Sequence, residues 1–293
     1  MGAFFVGPRS FYQALNDMSE EERKLFRMSG VERVNQLYGG EELRRLHRID
    51  GRFVNAAMRI VAFGAVISDQ LEDGRLVSGI GGQYNFVAMA HALPDARGII
   101  MIRSTRGSGR DLQSNIEFTY GSCSIPRHLR DIIVTEYGIA DLRGKSDKEV
   151  IAQVINIADS RFQLKLVAQA KKAGKLPQDY KIPREYRNNT PEKIESLLKP
   201  FQKDGYLQTF PFGTDFSDDD IELGKALREL KALKNTKNPL KTAIDAVKTY
   251  RQPNPAAIER HLKRMGLEQP ANRKEKLMQE AVIFALKMSG SGK

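Results

Sequence analysis

The spacing of apolar residues changes along the chain and predicts different structures in different segments. In the first fifty residues, apolar positions recur every three or four residues in short stretches such as "EELRRLHRI". Ser19 followed by Glu22 has the spacing of a capping box, which predicts the start of a helix. From residue 52, four β-branched or apolar runs are bounded by Gly, Asp or Ser and predict strands: "RFVNAAMRIVAFGAVI", "GIIMIRST", "SNIEFTYG" and "DIIVTEYG".

A glycine-rich turn and a helix-like segment separate the first two strand runs. Gly79, Gly81 and Gly82 precede "QYNFVAMAHAL", which has helical apolar spacing. The order of strand, turn, helix and strand is typical of an α/β sheet. A longer helical pattern begins at Ser146 as N-cap and ends near Gly174. We therefore expect an α/β fold with an open mixed sheet flanked by helices and a C-terminal helical extension.

The pattern changes again in the last third of the chain. The segment "LPQDYKIPREYRNNTPE" is rich in Pro, Asn and charge and predicts an extended connection. Ser217 is a good N-cap, and a helical pattern runs from there to Met288, with interruptions at residues 235–239 and 252–255 and a flexible "SGSGK" end. The predicted domains are residues 1–210, with a helical lead over residues 1–50, and a basic helical extension over residues 211–293.

Composition narrows the protein class. No window is apolar for long enough to span a membrane, the N-terminus lacks a secretory signal, and one cysteine excludes an internal disulfide. We therefore expect a cytoplasmic protein with no membrane partner.

The positive charge is concentrated in the second half of the chain. Residues 1–160 hold 20 Lys/Arg and 20 Asp/Glu, whereas residues 161–293 hold 27 Lys/Arg and 16 Asp/Glu. Because the basic residues alternate with aliphatic ones and no aromatics are interleaved, a solvated helical surface is favoured over a nucleic-acid interface.

Several residues are candidates for chemistry. The glycine turn is neither a dinucleotide fingerprint nor a P-loop; it either holds negative charge on backbone amides or is a tight turn. Glu136 ends an apolar strand, where a carboxylate could be a base or a substrate contact, or pair with an arginine. Asn55 interrupts a strand and must find hydrogen-bonding partners. Arg127 and His128, near Arg130, either begin a helix or bind an anion.

The remaining candidates have ordinary interpretations. His47, His91 and His261 have no partner at metal-ligand spacing, so no metal site is predicted. Cys123 is expected to be a small buried residue without a depressed pKa. Asp141 and Arg143 are expected to pair with each other.

Several long segments, in order, resemble the acetyl-CoA hydrolase/CoA-transferase family, specifically its C-terminal half. They are "GPRSFYQAL", "RFVNAAM", "LEDGRLVSGIGGQYNFVAMAHALPDARGII", "SNIEFTYGSCSIPRHLRDIIVTEYGIADLRGKSD", "IADSRFQ" and "FPFGTDF". The resemblance extends from about Phe4 to about Leu233. It implies the open α/β fold of class I CoA-transferases, with two similar halves, an active site between them and association into a homo-oligomer.

The resemblance also implies a reaction. In the family, a glutamate attacks an acyl-CoA thioester, the CoA thiolate then forms a glutamyl-CoA thioester, and a carboxylate or water resolves it. The substrates are CoA thioesters such as acetyl-CoA, and no cofactor is permanently bound. By the match, Gly79, Gly81, Gly82 and Gln83 border the acyl site, with Gly81 or Gly82 donating an N–H to the thioester oxygen. Asn55 and Glu136 match active-site residues, and Glu136 is expected to orient Asn55 or a water.

One departure limits what the resemblance implies. The family's nucleophilic glutamate lies in a His-Ser-Glu-Met-like segment, and none of the four histidines is followed two residues later by Glu. The chain is therefore expected to be the second half of a longer enzyme, inactive alone, whose partner is the missing N-terminal half. The alternatives are a non-catalytic CoA-binding or regulatory module and, through the basic extension, a nucleic-acid binder.

Overall fold

The computed structural model describes residues 7–233 and 255–289. It divides into two compact units, Met1–Tyr206 and Leu207–Lys293. The sequence predicts a boundary at residue 210, close to this division.

The first unit begins with the expected series of short helices. They are α1 (Arg9–Asp17), α2 (Glu20–Leu25), α3 (Glu32–Asn35) and α4 (Glu41–Leu46). The capping box of α2 is confirmed, because the Ser19 hydroxyl accepts from the Glu22 amide at 3.3 Å and the Ser19 amide donates to the Glu22 carboxylate at 3.0 Å. These two bonds satisfy backbone donors at the helix start.

A mixed four-stranded sheet forms the centre of this unit. Its strands are β1 (Arg52–Ala56), β4 (Arg97–Met101), β8 (Ile132–Thr135) and β9 (Gly138–Asp141), in the order β1-β4-β8-β9. The first three are parallel and β9 is antiparallel to β8. Helix α5 (Gln83–Ala92) connects β1 to β4 as the sequence predicts. The expected open mixed sheet flanked by helices is therefore confirmed.

The remaining strands of the first unit form two smaller sheets. They are β2 (Arg59–Val61), β3 (Val66–Ile67), β5 (Thr105–Arg106), β6 (Gln113–Ser114) and β7 (Ile116–Glu117). One sheet has three strands in the order β3-β2-β7, and in the other β5 pairs with β6. The long apolar run that begins at residue 52 is thus three strands rather than one, because the chain turns after β1 and again at Gly64 (φ 91°).

The two faces of the four-stranded sheet differ in burial. Ile100, Ile133 and Ala140 are paired across neighbouring strands and are buried in one core with Val87 of α5 and residues of the following helix. Residues one position away share the opposite face. On that face Met101 is 46% exposed and Ile139 is 68% exposed. Val54 of β1 lies on the same face and is 52% exposed.

Three helices follow the sheet where one long helix and a connection were expected. They are α6 (Asp147–Asn156), α7 (Ser160–Lys172) and α8 (Pro191–Lys203). The break before α7 arises because the Asp159 side chain accepts from the Arg161 amide at 3.0 Å and so begins a new helix. Helix α8 was missed, although Thr190 caps it and Pro191 stands at its first position.

The described part of the second unit consists of three helices. They are α9 (Asp218–Leu233), α10 (Pro255–Arg264) and α11 (Arg273–Ser289). The Ser217 hydroxyl accepts from the Asp220 amide at 3.3 Å, which confirms the predicted N-cap. Leu223, Leu262 and Leu286 belong to one buried apolar cluster. The expected interruption at residues 235–239, and all but the last residue of the one at 252–255, lie outside the described residues, and Pro255 begins α10. Of the expected flexible end, residues 290–293 also lie outside them, whereas Ser289 is the last residue of α11.

None of the described helices combines the length and the apolar character that crossing a membrane requires.

Candidate functional site

A large cavity opens beyond the carboxyl ends of the three parallel strands. It has a volume of about 1030 Å³ and is lined by residues that include Ala56, Arg59, Met101, Arg103, Arg106 and Glu136. We call it the carboxyl-end cavity. In open α/β sheets, ligands bind in the crevice at this edge.

Glu136 is held in this cavity by a single residue. Its two carboxylate oxygens accept from the Ser104 amide at 2.9 Å and from the Ser104 hydroxyl at 2.7 Å. Ser104 is fully buried, and its carbonyl accepts from the Asn115 amide at 2.8 Å. Ser104 follows β4 and Glu136 follows β8, so the parallel pairing of these strands brings the two residues together. The result is a carboxylate with a fixed orientation beside the cavity.

Three arginines make the carboxyl-end cavity basic. Arg59 is buried, and its guanidinium carbon lies 4.8 Å from the centre of the Tyr120 ring. Arg106 donates to the Ser114 carbonyl at 2.6 Å and to the Asn115 side-chain oxygen at 3.0 Å. Among the described residues, Arg59, Arg103 and Arg106 form no salt bridge. Their positive charge is therefore available to an anionic ligand.

Burial and neighbouring charges shift the pKa values of Arg106 and Glu117. Burial lowers the pKa of Arg106, and the neighbouring charge of Arg59 lowers it further. Burial raises the pKa of Glu117, which the charges of Arg106 and Arg59 oppose. The sequence analysis missed these arginines and Ser104. A usable signal was present, because "RSTR" begins two residues after the end of β4, at the ligand-binding edge.

The glycine turn lies next to this cavity without being among its lining residues. Gly79 and Gly81 are exposed, and Gly82 is the N-cap of α5 with no side-chain hydrogen bond at the cap. The Gln83 side-chain nitrogen donates to the Ala56 carbonyl at 2.7 Å, which fixes the start of α5 to the carboxyl end of β1. The expected amide donation from Gly81 or Gly82 to an acyl group stays a prediction.

Asn55 and Gln83 leave polar atoms without partners. The Asn55 side-chain nitrogen and the Gln83 side-chain oxygen are both buried with no hydrogen-bonding partner. Asn55 is paired with Ile100 and therefore lies on the covered face of the sheet, opposite Met101. It does not donate to Glu136, so the expected orienting role of Glu136 toward Asn55 stays a prediction. A buried unpaired donor and acceptor are what a polar ligand group or water would satisfy.

Arg127 and His128 lie at the other end of the sheet from Glu136. They precede β8, whereas Glu136 follows it, and they line a second cavity of about 470 Å³ with Arg130 and Arg143. We call this the amino-end cavity. Asp147 accepts from Arg127 and from Arg130, at 2.9 Å each. The expected Asp141–Arg143 pair is present at 2.6 Å.

The expectation that Cys123 is buried is wrong, whereas the expectation that its pKa is not depressed is confirmed. This residue is exposed, because the chain turns inward at the next two residues, where Ser124 and Ile125 are buried. Its thiol is nevertheless crowded enough that partial burial raises its pKa, and the nearby Asp69 carboxylate raises it further. His47 and His91 are exposed, and His261 is fully buried.

Comparison with known families identifies the domain. The model of the acetyl-CoA hydrolase/transferase C-terminal domain matches residues 7–170. The chain belongs to this family. The match covers the four-stranded sheet, the glycine turn, Glu136 and helix α6, as well as most of α7. It ends earlier than the resemblance expected from sequence, which extends to about residue 233.

Known relatives of this family domain are CoA-transferases. The 4-hydroxybutyrate coenzyme A transferase of Clostridium kluyveri is 32% identical over 120 residues, which are 41% of this chain and 28% of that protein. The butyryl-CoA:acetate CoA-transferase of Anaerostipes caccae is 30% identical over 176 residues, which are 58% of this chain and 37% of that protein. RipA from Yersinia pestis is 29% identical, with a TM-score of 0.47 over 58% of this chain and 36% of that one. The chain thus spans about a third of the length of these relatives.

Proposed function

We propose that this chain forms one side of the acyl-CoA site of a CoA-transferase or acyl-CoA hydrolase acting on small acyl-CoA thioesters. The observation that carries the proposal is Glu136, held by Ser104 at the carboxyl ends of three parallel strands, beside a cavity of about 1030 Å³. CoA carries several phosphate charges and a long arm in which amide groups alternate with short apolar segments. A cavity that combines Arg59, Arg103 and Arg106 with apolar residues such as Met101 is suited to both parts.

Glu136 is proposed to position rather than to attack. Both of its oxygens accept from Ser104, so its orientation is fixed and one lone pair on each oxygen remains for a water or a substrate group. The attacking carboxylate that forms glutamyl-CoA is proposed to come from an N-terminal portion, because no histidine in this chain begins a His-Ser-Glu-Met-like segment. The oxyanion of the tetrahedral intermediate would be stabilised by amides of the glycine turn at the start of α5.

Calorimetry on the full chain with CoA and acetyl-CoA tests whether the chain binds acyl-CoA. We expect saturable binding, which Glu136→Gln leaves nearly unchanged because the arginines supply the binding energy. Acyl transfer to acetate, or hydrolysis, is then measured after the N-terminal portion of a CoA-transferase relative is added. Here Glu136→Gln is expected to lower turnover by about 100-fold or more, whereas Glu185→Gln, at an exposed position, retains turnover.

Each outcome has a definite meaning. Absence of CoA binding overturns the proposal. Efficient thioester turnover by the chain alone overturns the assignment of the nucleophile to another segment. Binding without turnover in any combination favours a CoA-binding module over an enzyme.

We further propose that the exposed apolar sheet face receives the N-terminal portion. Sheets with parallel strands normally have both faces covered, and here Val54, Met101 and Ile139 are exposed on one. The family model that matches is that of a C-terminal domain, and the matched segments cover only 28% and 37% of two of the relatives. Met101 also lines the carboxyl-end cavity, so a partner on this face would close the acyl site.

Ile139→Lys tests this docking surface. The substitution places a charge at a position that is 68% exposed, so the chain is expected to fold while its association with the N-terminal portion weakens by at least about tenfold. Leu164→Lys is the matched control, because Leu164 is 76% exposed on α7. Pull-down and calorimetric titration of both variants provide the measurement. Equal association by the two variants would contradict the proposed face.

A further inference from the structure

A cluster of ligating side chains lies in the second unit, outside the family domain. Asp219 and Glu222 are three residues apart on α9, so they share one face of that helix. His261 comes from α10. One ligand atom from each of the three side chains lies within 4.8 Å of the other two. Nothing in the sequence spacing predicts this cluster, because residues from two helices form it.

The imidazole of His261 is the unusual member of the cluster. The residue is fully buried, and neither ring nitrogen has a hydrogen-bonding partner. A buried polar group without a partner lowers stability, so such a group normally has a ligand or a hydrogen-bonding partner. Nε2 nevertheless lies 3.4 Å from Oε2 of Glu222, a contact that counts as an ion pair only if the ring is protonated. The nitrogen is therefore aimed into the carboxylate cluster and left for a further ligand.

The distance between these two atoms fits a shared metal ion. With metal–ligand bonds of about 2.0–2.1 Å, two ligands of a tetrahedral ion lie roughly 3.3–3.4 Å apart. The observed separation between Nε2 of His261 and Oε2 of Glu222 is 3.4 Å. The ligand atom of Asp219 lies within 4.8 Å of the ligand atoms of both other residues.

We propose that Asp219, Glu222 and His261 bind a divalent transition-metal ion with Zn²⁺-like preferences. One imidazole nitrogen and two carboxylates suit Zn²⁺, whereas Mg²⁺ prefers oxygen ligands alone. Two carboxylates also balance the charge of the ion. The site joins α9 to α10, so the ion stabilises the helical unit.

One neighbouring group competes with the ion. Arg260 donates to Asp219 at 3.2 Å. Asp219 is only partly buried, and its second carboxylate oxygen is not the one that accepts from Arg260. That oxygen can bind the ion whether or not the contact with Arg260 is kept. Removing the positive charge with Arg260→Gln is therefore expected to strengthen Zn²⁺ binding.

Calorimetric titration of the chelator-treated full chain with Zn²⁺ tests the proposal. We expect one Zn²⁺ per chain and a rise in the unfolding temperature that saturates with the same stoichiometry. Asp219→Asn and Glu222→Gln are each expected to weaken binding by at least about tenfold. Both residues are partly exposed, so these variants are expected to fold, and circular dichroism checks that they do. Asp218→Asn, an exposed carboxylate beside the cluster, is the matched control and retains wild-type affinity.

Two results would overturn the site. The first is the absence of stoichiometric Zn²⁺ uptake by the wild-type chain. The second is uptake that survives both Asp219→Asn and Glu222→Gln, which would assign the ion to other histidines or to Cys123. Mg²⁺ in excess is expected neither to displace Zn²⁺ nor to raise the unfolding temperature to the same extent.

Discussion

Both ends of the four-stranded sheet carry a basic cavity, but their arginines have different partners. In the amino-end cavity, Arg127 and Arg130 both pair with Asp147, at 2.9 Å each, and Arg143 pairs with Asp141 at 2.6 Å. In the carboxyl-end cavity, Arg106 donates to a carbonyl and an amide oxygen, and Arg59 lies over Tyr120. Among the described residues, the first set of arginines forms direct salt bridges, whereas Arg59 and Arg106 contact neutral groups and interact with the Glu117 carboxylate only beyond salt-bridge distance.

This difference supports our proposal that the carboxyl-end cavity binds the anionic ligand. Carboxylates that pair with arginines reduce the positive potential that a phosphate would experience. Neutral hydrogen-bonding partners orient a guanidinium without cancelling its charge. The carboxyl-end cavity is also at the edge where α/β sheets bind ligands. The pairing of Arg127 with Asp147 favours a structural role for Arg127, and the anion-binding role expected for Arg127 and His128 stays a prediction.

The largest expected effect comes from removing one arginine at each end. Arg103→Ala is expected to weaken CoA binding by about tenfold or more, because a charge-assisted hydrogen bond contributes about 1.5–3 kcal/mol. Arg127→Ala is expected to leave CoA affinity close to that of the wild type, because its charge is already paired with Asp147. Calorimetry with CoA on both variants measures the difference.

The opposite order of effects on CoA affinity would contradict this comparison of the two cavities. If Arg127→Ala weakened CoA binding more than Arg103→Ala, the amino-end cavity would be the anion site, and internal pairing would be a poor guide to function.

A smaller effect is expected on stability at the amino end. Asp147→Asn removes the shared partner of Arg127 and Arg130 and an acidic residue from the first turn of α6. Because these groups are partly exposed, we expect a loss of about 1 kcal/mol in the free energy of unfolding. Urea denaturation measures this loss. CoA affinity is expected to stay unchanged, and a gain in affinity would mean that Asp147 alone keeps this cavity from binding anions.

Local patterns predict much of this architecture. Alternation of strands and helices predicts the α/β class, and the capping residues Ser19, Ser146 and Ser217 are at the helix starts that the sequence indicates. Glu136 is placed correctly at a carboxyl strand end, since that position depends only on where one strand stops. Features that depend on a single segment are the ones that sequence reasoning recovers.

Features that depend on two distant segments are not recovered. Ser104 holds Glu136 because β4 and β8 pair in one particular register, and nothing local to either strand specifies that register. The covered position of Asn55 has the same origin, because a shift by one residue would turn its side chain to the other face. The pairing of Arg127 with Asp147 likewise depends on the position of α6 relative to the turn before β8.

The smallest effect concerns pH and the Asp141–Arg143 pair at the amino end. Hydrogen bonds from Arg143 lower the pKa of Asp141 from 3.8 to about 2. Because the pKa in the folded state lies below the unfolded value, the pair stabilises the fold above about pH 4 and loses this contribution as the pH falls toward about 2. Asp141→Asn should therefore be less stable than the wild type near neutral pH, with the difference shrinking through this window. Both side chains are about 40% exposed, so solvent keeps the effect small.

Unfolding curves of the wild type and Asp141→Asn, measured across this pH range, provide the test. A difference that stays constant with pH would mean that Asp141 acts through its shape and hydrogen bonds, and that charge pairing contributes little to the neutralised end of the sheet.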